Sequence, residues 1–213
     1  MRILSIAVGT PREVPWAGRI VQTSIFKTPV DGPVMVRAQN IEGDRQSDRK
    51  VHGGEFKAIY AYAAEDYDFW REKLGRELEP ANFGENLLIE NFNAARICIG
   101  DRFTAGGAEL EAAQPRLPCY KLGVRFGDAR MVKEFAAAGR WGVYFRVIRE
   151  GLLQASDTLL LMQNDPEKIP VYDVARVFVR DREDLAMMRR LAAHPRLDPA
   201  WREWYRGKQN GNC

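Results

Sequence analysis

Cysteine and histidine are scarce in this sequence, and their scarcity excludes several kinds of site. The 213 residues include three cysteines and two histidines. An odd number of cysteines in a chain of this length argues against a disulfide framework, and an iron–sulfur cluster usually needs about four thiolates. Because no CxxC pair exists and only two histidines are present, a His-rich zinc site is excluded as well.

Long apolar runs and a strong excess of charge are also missing. No stretch reaches the roughly 18 apolar residues that a membrane span requires, and Pro11 and Glu13 interrupt the apolar start too early for a secretory signal. The formal net charge is only +3, and the basic excess lies after residue 170, where it is typical of a solvated helical face. We therefore expect a cytoplasmic protein that binds neither a membrane nor a nucleic acid.

Short apolar segments separated by turn residues dominate the first 160 residues. Segments such as "ILSIAV", "VMVRAQ" and "AIYAY" predict strands, and Gly106 and Gly107 predict a tight turn between two more. Only "AEDYDFWREKLG", ending at Gly75, and "DARMVKEFAAAGR", from an N-cap at Asp128 to a C-cap at Gly139, predict helices. Many short strands with few helices favour a mainly β fold with some α, built as an antiparallel barrel.

The pattern changes after "QNDPEKIP". Three short helical segments follow, "VYDVARVFV", "EDLAMMRRLAAHP" and "DPAWREWYRGK", and Pro195 and Pro199 separate the second from the third. We predict one domain over residues 1–165 and a three-helix appendage over 166–213. Since such short helices are not stable alone, they should pack on the first domain or on a partner, contributing contacts rather than catalysis.

Cys119 is the strongest candidate for chemistry. It lies in "QPRLPCYKLGVR", where Pro118 restrains the backbone and Arg116 and Lys121 supply positive charge. Cations near a thiol favour the thiolate, the form that attacks electrophiles or binds soft metals. The alternative is a buried structural cysteine in a strand, which is the interpretation we favour for Cys98 in "RICIG".

Basic residues around Cys119 predict an electropositive pocket. Seven Lys or Arg residues and two Asp or Glu residues lie between Ala112 and Arg146. If this segment folds over one pocket, the pocket should attract an anionic cofactor or substrate.

A second candidate segment is "KVHGGEFKA". Two glycines follow His52, so a ligand can approach the main chain closely there. Arg45, Arg49 and Lys50 precede it and would suit a phosphate, although a lone histidine is more often structural.

Five motifs, taken in order, resemble the MOSC domain, named for the C-terminal domain of molybdenum cofactor sulfurase. They are "EGDRQSDRKVHGG", "FGENL", "IGDRF", "QPRLPCYKL" and "GRWGVYFRV", and the resemblance covers roughly residues 1–163. The tail motifs "DVARVFVRD" and "DPAWREWY" resemble the three-helix extension of the bacterial YiiM-like branch of this family.

The resemblance implies a β-barrel like that of the pyruvate kinase barrel domain, and a molybdenum–pterin cofactor whose metal is bound by Cys119. Relatives such as the mitochondrial amidoxime-reducing component reduce N-hydroxylated compounds to the parent amines or bases. Because the chain has neither a cluster motif nor a GxGxxG fingerprint, the electrons would come from a partner, a flavin reductase or a haem protein.

The resemblance, together with the local chemistry, also suggests the site residues. Cys119 and His52 are the expected catalytic residues, with Cys119 as the metal ligand. The expected cofactor-binding residues are Arg45, Lys50, Gly53, Glu85, Asn86, Gln114, Arg116, Lys121 and Arg140.

Two other functions remain open at this point. A sulfur carrier or transferase would use a persulfide on Cys119 and would need no molybdenum. A Cys–His hydrolase would pair Cys119 with His52.

Overall fold

A computed structural model describes residues 1–47 and 53–209 of the chain. It contains thirteen strands and six α-helices among these residues. The strands are β1 Arg2–Val8, β2 Arg12–Trp16, β3 Arg19–Thr23, β4 Thr28–Pro29, β5 Val34–Arg37, β6 Asn40–Ile41, β7 Ile59–Ala63, β8 Leu87–Glu90, β9 Arg102–Ala105, β10 Ala108–Pro115, β11 Val143–Arg149, β12 Gly151–Leu153 and β13 Leu160–Gln163. The helices are α1 Ala64–Leu74, α2 Tyr120–Phe126, α3 Met131–Ala138, α4 Val171–Val179, α5 Leu185–Ala193 and α6 Pro199–Gln209.

Eight of the strands form one large sheet in the order β13-β9-β10-β11-β7-β8-β1-β4. Neighbouring strands are antiparallel except for β7 and β8, which run parallel because the crossover helix α1 follows β7 directly. In the described ranges the end strands β13 and β4 do not pair with each other. The fold is therefore mixed α/β with a large open sheet, and the expected barrel is not confirmed.

The helix ends agree only partly with the glycine and cap signals. Gly75 ends α1 in the left-handed conformation, with φ of 62°, and Gly139 ends α3 with φ of 70°. The predicted N-cap at Asp128 lies two residues too early, because Arg130 is the residue immediately before α3, although it makes no side-chain capping hydrogen bond. The Asp128 carboxylate instead accepts a hydrogen bond from the Arg130 N–H at 2.9 Å, closing the turn before the helix.

Cys98, which the sequence patterns place in a strand, and Cys119 both lie outside the strands. Cys119 is the residue immediately before α2, a helix that the sequence patterns did not predict. Gly123 in this helix lies so close to Ala129 that a Cβ would be 3.2 Å from its Cα. Cys98 follows the short 3-10 turn at Ala94–Arg96 and pairs with Pro170 through an isolated β-bridge, so the prediction that it lies in a strand is wrong.

The three tail helices pack on the sheet, as expected for helices too short to be stable alone. Val174 on α4 and Leu191 on α5 belong to the same buried hydrophobic cluster as Ile59 and Phe103 of the sheet. Near α5, the buried Asp165 accepts a hydrogen bond from Arg196 at 2.8 Å and lies 3.3 Å from the ring of His194. The boundary at residue 165 itself stays a prediction.

No helix in the described ranges combines the length and apolarity of a membrane span.

Shared burial predicts that the tail and the sheet unfold together. Leu191→Ala should lower the free energy of unfolding by about 2–4 kcal/mol, because it opens a cavity in the common cluster. Leu185→Ala on the same helix should cost less than about 0.5 kcal/mol, since Leu185 is exposed. Urea denaturation followed by far-UV circular dichroism measures both. Common unfolding would be contradicted if the tail of Leu191→Ala unfolded in a separate transition while the sheet unfolded at the same urea concentration as in the wild type.

Candidate functional site

A polar cavity lies beside Cys119, where β10 ends and the chain turns into α2. Pro115 ends β10, and Cys119 has an extended backbone, with φ of −129° and ψ of 171°, before the first turn of the helix. Its side chain is half-buried. The residues lining the cavity are Ser24, Ile25, Lys27, Asp44, Gln46, Ser47, Lys57, Tyr60, Gly84, Asn86, Arg116, Leu117, Cys119, Lys121 and Tyr144.

The buried carboxylate of Asp44 anchors one wall of this cavity. It accepts hydrogen bonds from the Gly9 N–H at 2.7 Å and from the Asn86 side-chain amide at 3.1 Å, and it is ion-paired with Lys27. Burial lowers the pKa of Lys27, and the charge of Asp44 opposes that shift. The Asn86 side chain also accepts a hydrogen bond from the Tyr60 N–H at 3.1 Å, so this wall is joined to β7.

Arg116 is buried in the cavity wall and does not use all of its hydrogen-bond donors within the described residues. It is 5% exposed, and its Nη1 atom has no hydrogen-bond partner among the described residues. Its guanidinium lies 5.6 Å from the ring centre of Tyr60 and 5.1 Å from that of Phe135. Burial opposes its charge, but Tyr60 and Cys119 raise the pKa of Arg116 above its ordinary value. The cavity therefore contains a charged, partly unsatisfied donor, which suits an anion.

Other cavity side chains add positive charge and a proton donor. Lys121, two residues after Cys119, donates a hydrogen bond to the Ser47 hydroxyl at 3.0 Å. Lys57 lines the same cavity. Burial raises the pKa of Tyr144 to about 12, so its hydroxyl keeps its proton at neutral pH. With Asp44 already paired to Lys27, the remaining cations leave the cavity electropositive, as the sequence predicts.

Four of the predicted site residues come together in this cavity: Asn86, Arg116, Cys119 and Lys121. Arg45 is exposed, and its described hydrogen bond is from its backbone N–H to Gly9. His52 and Lys50 lie outside the described residues. Gly53 is described but does not line the cavity.

Glu85 is buried behind the cavity and supports a loop. Its carboxylate accepts hydrogen bonds from the Tyr67 hydroxyl and from the N–H groups of Ala81 and Phe83, at 2.8 and 3.1 Å. Burial raises the pKa of Glu85 despite these hydrogen bonds. The neighbours of this carboxylate indicate a structural contact rather than contact with a ligand.

Arg140 and Gln114 also point away from the cavity. Arg140 forms an ion pair with Asp66 and lies 4.3 Å from the ring centre of Phe69, beside a different cavity. The Gln114 side chain faces the tail, where it donates a hydrogen bond to Asp198 and accepts one from Trp201.

Sequence reasoning missed several cavity residues, including Lys27, Asp44, Tyr60 and Tyr144. Asp44 lies within "EGDRQSDRKVHGG", so that motif contained the signal. Nothing local to Lys27 indicates a site, because its partner Asp44 is distant in sequence.

A second, more apolar groove meets the cavity at Cys119. It has a volume of about 480 Å³ and shares Lys57, Leu117, Cys119 and Tyr144 with the cavity. Its remaining lining residues are Gln114, Pro115, Pro118, Phe178, Asp198, Ala200, Trp201 and Trp204. The last five belong to the tail, so Cys119 lies between a cationic cavity of the sheet region and an aromatic wall of the tail.

Comparison with known proteins identifies the family of this arrangement. Residues 48–160 match the MOSC domain. The Bacillus subtilis protein YflK is 36% identical over 208 residues, which cover 98% of this chain and 94% of YflK. A Gibberella moniliformis protein named Reductase is 32% identical over 179 residues, covering 82% of this chain but 32% of that longer protein. The crystal structure of YiiM from Geobacillus stearothermophilus superposes with a TM-score of 0.82 at 33% identity, covering 97% of this chain and 98% of the other.

The hydrogen bonds and the ion pair of Asp44 predict that removing its charge strongly lowers the stability of the protein. Asp44→Asn should lower the free energy of unfolding by about 3 kcal/mol, because Lys27 would remain buried without its counter-ion. Asp31→Asn is the control, since Asp31 is exposed. Chemical denaturation of both variants at neutral pH measures the difference. Equal stability of the two variants would show that Asp44 does not support this wall.

Proposed function

Because the chain belongs to the MOSC domain family, we propose that it binds a molybdenum–pterin cofactor beside Cys119 and reduces N-hydroxylated compounds to the parent amines or bases. One observation carries this proposal: a half-buried cysteine adjoins a cavity in which the Nη1 atom of the buried Arg116 has no hydrogen-bond partner among the described residues. The name Reductase, given to a relative, supports the same class of activity.

The cavity residues fit such a cofactor by their chemistry. The Arg116 guanidinium and the ammonium groups of Lys57 and Lys121 would hold a phosphate. The Cys119 thiolate is a soft ligand that suits the metal. When bound, the cofactor would supply a metal centre that can pass two electrons to the N–O bond of a substrate.

The proposed reaction has a simple balance. R–NH–OH, two electrons and two protons give R–NH₂ and water, so the N–O bond breaks and nitrogen is reduced. The Tyr144 hydroxyl, which lines the cavity and keeps its proton at neutral pH, would donate a hydrogen bond near Cys119.

We propose a cytoplasmic flavin reductase or haem protein as the electron donor, because the sequence has no cluster motif or GxGxxG fingerprint.

Comparing the two cysteines tests the metal ligand. Cys119→Ser replaces a thiolate with a hydroxyl that remains protonated near neutral pH. We expect little change in melting temperature, loss of N-hydroxyl reduction with an artificial electron donor, and a changed molybdenum X-ray absorption spectrum. Cys98→Ser should keep both the activity and the spectrum, since Cys98 does not line the cavity.

The metal spectrum separates the proposal from a sulfur carrier, which would also lose function in Cys119→Ser. An unchanged molybdenum environment in that variant would show that this thiol is not a ligand. Protein that contains neither molybdenum nor pterin, although made in cells with intact cofactor synthesis, would favour the persulfide carrier.

Arg116 provides a second test through cofactor retention. Arg116→Gln should weaken retention by about tenfold or more, because it removes a charge-assisted hydrogen bond to the phosphate. Arg125→Gln is the matched control: Arg125 belongs to the same basic segment, lies 5.2 Å from the ring centre of Phe26 and does not line the cavity. Pterin fluorescence after gel filtration measures the bound fraction. Equal loss from both variants would refute a specific role for Arg116.

A further inference from the structure

We propose that the tail forms the substrate side of the site, and that its aromatic wall selects flat, ring-bearing N-hydroxylated compounds. This inference rests on the proposed function, which places the reacting group at Cys119. It changes the expectation that the tail contributes contacts only.

The position of the groove is the first argument. The groove and the cationic cavity meet at Cys119, Lys57 and Tyr144. If the cavity holds an anionic cofactor, a substrate must approach Cys119 from another side. The groove provides that side, with a volume of about 480 Å³ that accommodates a small ring compound.

The chemistry of the wall is the second argument. Three aromatic residues of the tail line the groove: Phe178 on α4, and Trp201 and Trp204 on α6. Their rings contact one another, with Phe178 lying 5.1 Å from Trp201 and 4.9 Å from Trp204 between ring centres. Trp201 also stacks on the buried Tyr205 at 5.9 Å. Such rings offer offset-stacked or edge contacts to a planar ligand, which a small aliphatic compound cannot make.

The aromatic wall is also held rigidly by hydrogen bonds. The Gln114 side chain accepts a hydrogen bond from the Trp201 indole N–H at 2.7 Å, and donates to the Asp198 carboxylate at 3.1 Å and the Phe56 carbonyl at 3.0 Å. Gln114 is therefore a positioning residue that fixes the tail against β10. A wall fixed before binding loses little conformational freedom when the ligand arrives.

The polar end of the groove fits the same class of ligand. Asp198 lines the groove, and its carboxylate accepts from Gln114 and from the Ala200 N–H at 2.9 Å. Carboxylate oxygens can accept more than one hydrogen bond each. Asp198 could thus accept from the amino group of an amidoxime whose ring packs on the tryptophans.

Ligand binding without turnover tests the inference. Benzamidoxime and acetamidoxime carry the same reacting group and differ in the ring, and calorimetry without an electron donor measures the affinity for each. Wild-type protein should bind benzamidoxime about tenfold or more tightly than acetamidoxime. Trp201→Leu and Phe178→Leu should reduce this ratio to below about threefold, since each removes an aromatic surface and keeps an apolar side chain.

Tyr205→Phe is the control for general loosening of the tail. It removes the hydrogen bond from Tyr205 to the Val174 carbonyl and leaves the groove lining unchanged, so the ratio should stay as in the wild type. Phe178 lies on a different helix from Trp201, so one variant remains informative if the other does not fold. An equal affinity for the two amidoximes in the wild type, or a ratio unchanged in both wall variants, would overturn the inference.

The two proposals fail in different ways. Ring-dependent binding without any N-hydroxyl reduction would refute the proposed function and keep the aromatic groove. Reduction of both amidoximes with no ring preference would keep the function and refute the groove.

Discussion

The buried carboxylate of Asp44 is the contact on which the cavity beside Cys119 depends. A buried carboxylate requires compensation, and its partners come from three separate parts of the chain: Gly9 after β1, Lys27 before β4, and Asn86 before β8. Satisfying one charge therefore brings three segments to the same place. The cation introduced with Lys27 is neutralised there, so the positive potential of the cavity comes from the residues nearer Cys119.

The parts of the fold that sequence predicts well are those set by local chemistry. The end of α1 at a glycine and the separation of the tail helices by prolines are both as the sequence predicts. Turn geometry and helix termination depend on a few neighbouring residues, so local sequence is enough to locate them. Helix α2 was missed because its residues follow two prolines and include Gly123, which is unfavourable in a helix. Local sequence preference therefore does not favour α2, but the helix forms with Gly123 packed closely against Ala129. Tertiary packing overrides propensity here.

The same distinction applies to the site. Cys119, Arg116 and Lys121 are recognisable because they are close in sequence and their chemistry is complementary. Arg140 has the right charge, but Asp66 on the neighbouring helix is its partner, and a sequence shows residue types without showing which pairs form. The predictions were therefore most informative within one short segment, and least informative for single charged residues far from it.

The position of Cys119 connects these observations. Two prolines and the start of α2 hold the cysteine at the edge where the sheet region meets the tail. On one side are buried cations of the sheet region, and on the other are aromatic rings that Gln114 fixes against β10. Under the proposed function, an anionic cofactor and a flat apolar substrate need different surroundings beside the same cysteine. Packing the helical tail on the sheet provides both kinds of surface there, in addition to the share of the core that the tail contributes.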